Sequence, residues 1–275
     1  MITEFFQKIA AFFTGIIAFI TGIFAPLSGG GQNGKDLDLN GYRLVFEDEF
    51  NGNSLNTDAW FYRTEGLAAD VYNSANQVAV SGGAMTITAQ YRDNGEYGAG
   101  WYSGVIALEQ KYLRGYFEIK CTCAPGGGMW SAFWLQGDGS YEHDISKGGV
   151  GAAEIDIMEA TQYSELTSAK KNSVTSAIHC NGGDDDPDHI DSKRLGKFRG
   201  NDIYNTFNTY GLKWTEDEYI FYVNGVETAR TSFSRGVSQV PEQVIVSLEI
   251  PANVSHAKDF TTSMTVDYVR IYQLP

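Results

Sequence analysis

Three carboxylates stand close together in an apolar setting. The run AAEIDIMEA holds Glu154, Asp156 and Glu159 among Ala, Ile and Met. Acidic side chains are rarely central in a buried strand unless they line a cavity or pair with something. Glu154 and Asp156 are two apart and so share one face of a strand. Glu159 lies three beyond Asp156, and a regular strand turns it to the opposite face. One extra residue at Ile157–Met158, a β-bulge, brings it back beside the others, with Ile155 and one of Ile157 or Met158 directed to the core. Like charges crowded on one face cannot all ionise equally: one acid is pushed up while its neighbour stays charged. A charged carboxylate and a protonated one about 5–5.5 Å apart are what retaining hydrolysis of a glycosidic bond requires. Residue types alone leave a second reading open, three acids that simply face water on an edge strand.

The elements that must hold these acids have period two. From about Asn40 onward YRLVFEDEF, AMTITAQY, GYFEIKCTC, SAFWLQ, EIDIME, VTSAIHC, YGLKW, YIFYVNG, QVIVSLEI and MTVDYVRIY follow one another, separated by Gly, Asn, Asp and Pro. No strong amphipathic helix stands between them. Many short strands without alternating helices predict an antiparallel sandwich or barrel, and 13% aromatics with 31 Gly agree. Asn224-Gly225 in VNGVE predicts a hairpin turn. Cys121 and Cys123 share a strand face and are poorly placed to bond each other. With Cys180 the count is odd, and three packed small side chains is the plainest reading.

The N-terminus is a separate object. FFQKIAA, FFTGIIA and FITGIFA repeat one seven-residue unit, and Ala10–Leu27 carries no charge. A helix over that run rises about 27 Å, close to a bilayer core of about 30 Å. Residues 1–28 are expected to form a hydrophobic helix. It is read as a membrane anchor, a cleaved signal, or a helix lying on a membrane or against protein. Residues 29–39 read as a Gly-rich linker and 40–275 as the one domain that carries the three acids. GGGQNGK matches most of a phosphate-binding loop by letter, but no strand precedes it and Asp36 stands where Ser or Thr should be.

Acidic groups outnumber basic ones 34 to 20, a net charge of −14 that repels phosphate backbones and disfavours nucleic acid as a partner. The motifs G-x-S-x-G and H-E-x-x-H of serine hydrolases and zincins are absent. The loop CNGGDDDPDHID lacks the spacing of an EF-hand and reads as a solvated rim.

E-x-D-x-x-E in a strand, preceded by GGGMWSAFW, resembles glycoside hydrolase family 16 in its laminarinase-like branch. LVFEDEFNG, GGAMTITA, WYSGVIALEQKYLRGYFEIK, SAIHCNG, FNTYGLKWTEDEYIFYVNG and MTVDYVRIYQ extend the likeness in order from about Leu44 to Gln273. The resemblance implies a concanavalin-like β-jelly-roll: two curved antiparallel sheets with a concave substrate cleft. It implies endo-hydrolysis of a β-glucan, with 1,3- or mixed 1,3-1,4-linkages, through a covalent glycosyl-enzyme intermediate. Glu154 would be the nucleophile, Glu159 the general acid/base and Asp156 the carboxylate that tunes both. His179 would lie beside the acid/base.

Flat rings stack on the apolar faces of sugars. Trp130 and Trp134 alternate onto one face of a strand that the resemblance places in the cleft, and Trp101 and Tyr102 fall where relatives contact glycone sugars. By the same resemblance, Trp60 and Trp214 read as core. No cofactor is expected for catalysis. A structural Ca²⁺ is implied, held by main-chain oxygens of Glu49 and Gly83 and by the Asp267 carboxylate.

Two departures bear on the glycone subsites. GGVGAA stands where W-P-x-x-G usually precedes the first catalytic Glu, and Val105 stands where many relatives carry Arg. Another β-glucan or a galactan therefore remains open as substrate, as does transglycosylation on the same acids. A non-catalytic sugar-binding jelly-roll would not need the crowded carboxylates. The expected partner is a polysaccharide, met outside the cell by a secreted or membrane-anchored, monomeric domain, with residues 5–27 as the membrane contact.

Overall fold

The computed structural model describes residues 35–68, 71–137, 152–163, 172–181, 190–232, 236–251 and 256–275. The hydrophobic segment 1–28, residues 29–34 of the linker, Gly148–Gly151 of GGVGAA and most of the acidic loop lie outside the described residues.

Seventeen strands and one short 3₁₀ turn (Ala75–Gln77) form a jelly-roll of two layers among these residues. One layer runs β15 (Val226–Thr231), β14 (Tyr219–Val223), β13 (Asn208–Trp214), β8 (Gly115–Thr122) and β17 (Thr261–Gln273). The long β17 is flanked on its other edge by β6 (Ala84–Gly95) along its first half and β1 (Arg43–Asp48) along its second. β5 (Val78–Ser81) pairs with β6, and β3 (Gly66–Ala68) with β4 (Val71–Asn73). The second layer runs β2 (Trp60–Tyr62), β7 (Gly98–Tyr112), β16 (Glu242–Glu249), β9 (Trp130–Gln136), β10 (Glu154–Ala160), β11 (Ser173–Asn181) and β12 (Ile190–Arg199), every neighbour antiparallel. β7 is long enough to start against β6 in the first layer and finish in the second.

Alternation explains both layers. On β8, Phe117, Ile119 and Cys121 point inward while Tyr116, Glu118 and Lys120 face outward. The core between the layers takes Trp60, Trp214, Phe133, Leu135, Ile155, Ile178, Val244 and Val246, all fully buried. Trp60 and Trp214 are thus core residues, as expected. The three cysteines are buried thiols. Asn224 and Gly225, both with positive φ (51° and 74°), form the β14–β15 hairpin turn in the conformation that an Asn-Gly pair favours.

The chain just before the sandwich is docked on it. Lys35 O accepts from Glu227 N–H, Leu37 N–H donates to Gly225 O at 2.8 Å, and Asp36 bridges Val226. Leu37 and Leu39 cover Tyr116, Ile220 and Tyr222 on the outer face of the first layer. Residues 35–39 therefore act as a strap on the domain, although their composition reads as the end of a linker. Among the described residues no helix is long and apolar enough to cross a membrane.

Candidate active site

The bulge predicted in the acidic strand is present. Asp156 pairs with Trp134 on β9 and Ala177 on β11, and the register then jumps so that Glu159 pairs with Ala132 and Thr175. Ile157 and Met158 occupy the span that Ser176 alone fills on β11. Both are buried in the core, whereas alternation had assigned that place to one of them. Ser176 Oγ donates to the displaced Ile157 carbonyl at 2.8 Å, satisfying a main-chain oxygen that the bulge removes from the ladder. Glu154, Asp156 and Glu159 thus share the face of the second layer turned away from the core.

Each acid has a different environment. Glu154 Oε2 accepts from Gln136 Nε2 at 2.8 Å. Asp156 Oδ2 lies 3.1 Å from His179 Nε2. Glu159 Oε2 meets Thr175 Oγ1 at 3.3 Å. Desolvation, followed by the charge of Asp156, pushes Glu159 well above the usual carboxylate range. His179 and the Thr175 hydroxyl oppose that shift without cancelling it. His179 moves the same way for a different reason. Burial disfavours its charge, but the bond to Asp156 and the charges of Asp156, Glu154 and Glu159 outweigh burial and raise it to about 9. At neutral pH it is an imidazolium, donating Nε2–H to Asp156 and Nδ1–H to Ser192 Oγ at 2.7 Å. The cluster therefore favours the protonated form of Glu159 beside the Asp156–His179 ion pair.

His179 stands across the ladder from Glu154 and bonds Asp156, and its charge also acts on Glu159. Trp130, Ala132, Trp134 and Gln136 alternate onto the same face as the acids, and both tryptophans are partly exposed there. Trp134 donates Nε1–H to Ser247 Oγ at 3.2 Å, and Ser247 in turn bonds Glu249, whose burial raises its carboxyl. Trp101 packs edge-on against Tyr91, His256 and Phe260 and stays partly exposed.

Tyr102 does not join this surface. It is wholly buried and stacked on Tyr72 at 4.9 Å, with its hydroxyl donating to Gly98 O and accepting from Tyr97 N–H. Tyr102 is covered by Tyr72 and Tyr97 while Trp101 stays partly exposed, so the expectation of a sugar contact at Tyr102 is corrected.

The side chains of two of the residues that the resemblance assigns to Ca²⁺ have protein partners. The Asp267 carboxylate lies 2.7 Å from Lys120 Nζ, and the Glu49 carboxylate bonds Arg270. With its charge already met by an ammonium group, Asp267 is a poor fit for a hard cation, and no step of the chemistry is assigned to one. Glu154, Asp156 and His179 offer three donor atoms within 4.8 Å of one another. The bonds to Gln136, to Ser192 and within the Asp156–His179 pair give each of them a protein partner, as suits an acid–base cluster.

Sequence reasoning missed Gln136, Arg63 and Thr175. Gln136 was within reach, since the alternation that pairs Trp130 with Trp134 continues to it. Arg63 had no local signal: it follows β2, and pairing between β2 and β7 brings it to the site. There its N–H donates to Val105 O at 2.8 Å.

A family model described as beta-porphyranase A-D, GH16 domain, matches residues 44–274. An endo-1,3-1,4-beta-glycanase, ExsH, of Rhizobium meliloti is 27% identical over 213 residues, which cover 73% of this chain and 40% of the relative. A keratan-sulfate endo-1,4-beta-galactosidase of Sphingobacterium multivorum is 26% identical over 257 residues, covering 85% of this chain and 56% of that protein. The chain thus spans about half or less of the length of these relatives. The crystal structure of SCLam, described as a non-specific endo-beta-1,3(4)-glucanase, superposes with a TM-score of 0.71 at 24% identity, covering 90% of this chain and 99% of the other. With the family match running from β1 to the end of β17 and the bulged acidic strand at its centre, the chain belongs to glycoside hydrolase family 16.

Proposed function

We propose that this domain hydrolyses internal β-glycosidic bonds of a β-glucan with retention of configuration. The observation that carries this reading is the bulge, which sets Glu154 and Glu159 on one face with Glu159 held protonated. Glu154 attacks the anomeric carbon while Glu159 gives its proton to the departing glycosidic oxygen. The anomeric C–O bond breaks as the glycosyl ester to Glu154 forms. The ionised Glu159 then takes a proton from water, which attacks the same carbon and releases Glu154 as carboxylate. Asp156, neutralised by His179, raises Glu159 without adding net charge to the cluster. Trp130 and Trp134 offer ring surface along which a sugar chain stacks, and Trp101 offers more at a distance. The β-glycanase relative supports a 1,3- or 1,3-1,4-linked glucan.

A second reading, endo-hydrolysis of a β-galactan, draws on the endo-1,4-beta-galactosidase relative and on the porphyranase description of the matching family model. The uncharged segment Ala10–Leu27 supports a domain held outside the cell at a membrane.

Laminarin, lichenan, barley glucan, agarose and porphyran, incubated in parallel, separate the two substrates. NMR of fresh products is expected to show the β-anomer first, with α appearing only by mutarotation. The Glu154→Gln variant is expected to fold but lose at least about a thousandfold in kcat. Immediate α-anomer, or a Glu154→Gln enzyme within tenfold of the parent, overturns the mechanism.

A further inference from the structure

A chain of three polar groups runs into Glu154 from outside the catalytic strand. The Arg63 guanidinium lies over the Trp134 ring, 5.0 Å from its centroid, and donates Nη2–H to Gln136 Oε1 at 2.5 Å. Gln136 donates Nε2–H to Glu154 Oε2 at 2.8 Å. The orientation of the Gln136 amide is chemically forced. Arginine only donates and an ionised carboxylate only accepts, so the amide oxygen must face Arg63 and the amide nitrogen must face Glu154. Turning the amide over would set NH₂ against a cation and oxygen against an anion.

We propose that Arg63 and Gln136 form a positioning relay that fixes Glu154 Oε2 and favours the charged form of the carboxylate that attacks the anomeric carbon. The proposal rests on the reading of Glu154 as nucleophile. A hydrogen bond donated to a carboxylate favours its charged form, and a charge-assisted one is stronger than its neutral counterpart.

The groups around Glu154 show why such support matters. Asp156 and Glu159 stand on the same strand, and β16 contributes Glu242 and Glu249, both acids whose burial raises them. Among the described residues, the opposing cations are His179 from β11 and Arg63 from beyond β2. His179 loses its charge as pH rises through about 9, whereas Arg63 keeps its charge throughout. The relay is thus a permanent counterweight to crowded carboxylates, supplied from a strand that carries no acid of the cluster. It also anchors both ends of one face, since Trp134 is clamped between Arg63 and the Ser247 hydroxyl.

The test compares Arg63→Met, Arg63→Lys and Gln136→Glu with the parent and with Glu154→Gln on the polymer that the parent cleaves. Gln136→Glu is isosteric and keeps an acceptor for Arg63, so it guards against a fold lost in Arg63→Met; melting curves report on both. The relay predicts that Arg63→Met and Gln136→Glu lower kcat by about tenfold or more with KM changed less than about threefold. The acid limb of kcat/KM should move upward by about half a pH unit or more. Arg63→Lys should recover part of both. If Glu154→Gln is dead while folded Arg63→Met and Gln136→Glu keep the parent kcat and acid limb, the relay is overturned and the nucleophile stands. A rise in KM alone would assign Arg63 to sugar binding and would also overturn it. An active Glu154→Gln enzyme removes the nucleophile and the relay together.

Discussion

Among the single residues, Asp156 controls the most. It is the largest charge acting on Glu159, and it is the partner that keeps His179 protonated. Asp156→Asn removes the negative charge that helps to hold the Glu159 proton, so Glu159 ionises more easily. His179 loses its bonded anion in the same variant and falls toward its ordinary range, which withdraws a cation from Glu159 and works in the opposite sense. The Asp156 charge is the larger of the two influences on Glu159, so the net shift is downward. The alkaline limb of kcat/KM is therefore expected to move to lower pH in Asp156→Asn, with an acid limb that moves less. A pH–rate profile over pH 4–10 checks this, and an alkaline limb that stays in place or rises would remove Asp156 from control of the proton donor. The limbs belong to the coupled cluster, so the comparison is between variants and not between single groups.

At the level of elements, β10 works because it is irregular. A seven-residue strand with strict alternation would direct Glu159 into the core among Phe133, Met158 and Val174. Two residues against one restore it to the face of Glu154, at the cost of an unpaired main-chain carbonyl that Ser176 satisfies. Ser176 is 3% exposed, so water cannot replace its hydroxyl. Ser176→Ala is expected to cost about 1–3 kcal/mol in urea denaturation, the range for leaving a buried acceptor unmet. It should also lower kcat severalfold as the bulge relaxes and Glu159 loses its aim; unchanged stability and rate would show that the bulge holds itself.

This strand also marks how far the sequence was legible. Spacing showed that a bulge was needed if the three acids were to share a face, and the resemblance decided that they do. The hairpin at Asn224-Gly225 was equally readable from local chemistry, whereas the core places of Trp60 and Trp214 came from the resemblance. Tyr102 was misread because a site position carried over from relatives outweighed alternation, which exposes only one of Trp101 and Tyr102. Arg63 could not be read at all. Its place beside Gln136 depends on β2 pairing with β7 and on β7 and β9 both flanking β16, contacts between residues far apart in the chain.

Over the whole molecule, the two layers divide labour. The second carries the acids, the partly exposed tryptophans and the Arg63–Gln136 chain on its outward face, while the first presents Tyr116, Tyr222 and Ile220 on its own outward face. The strap at residues 35–39 covers that second apolar patch and so lies across the sandwich from the acids. Leu37 and Leu39 are each partly buried, and Lys213 Nζ adds a bond to Asp38 O at 3.1 Å. Removing residues 1–34 leaves all of these contacts intact and is expected to give an active domain with full stability. Removing residues 1–39 takes away both leucines, uncovers Ile220 and two tyrosines, and is expected to cost about 2–3 kcal/mol from the apolar area returned to water. In a domain of this size that corresponds to a melting temperature lower by roughly 4–10 °C. kcat should be the same in both truncations, because no residue of the strap approaches the acidic cluster. Equal melting temperatures would show that the strap only rests on the sheet. A loss of kcat in the shorter protein would show that the outer layer transmits its packing to β10 through the shared core.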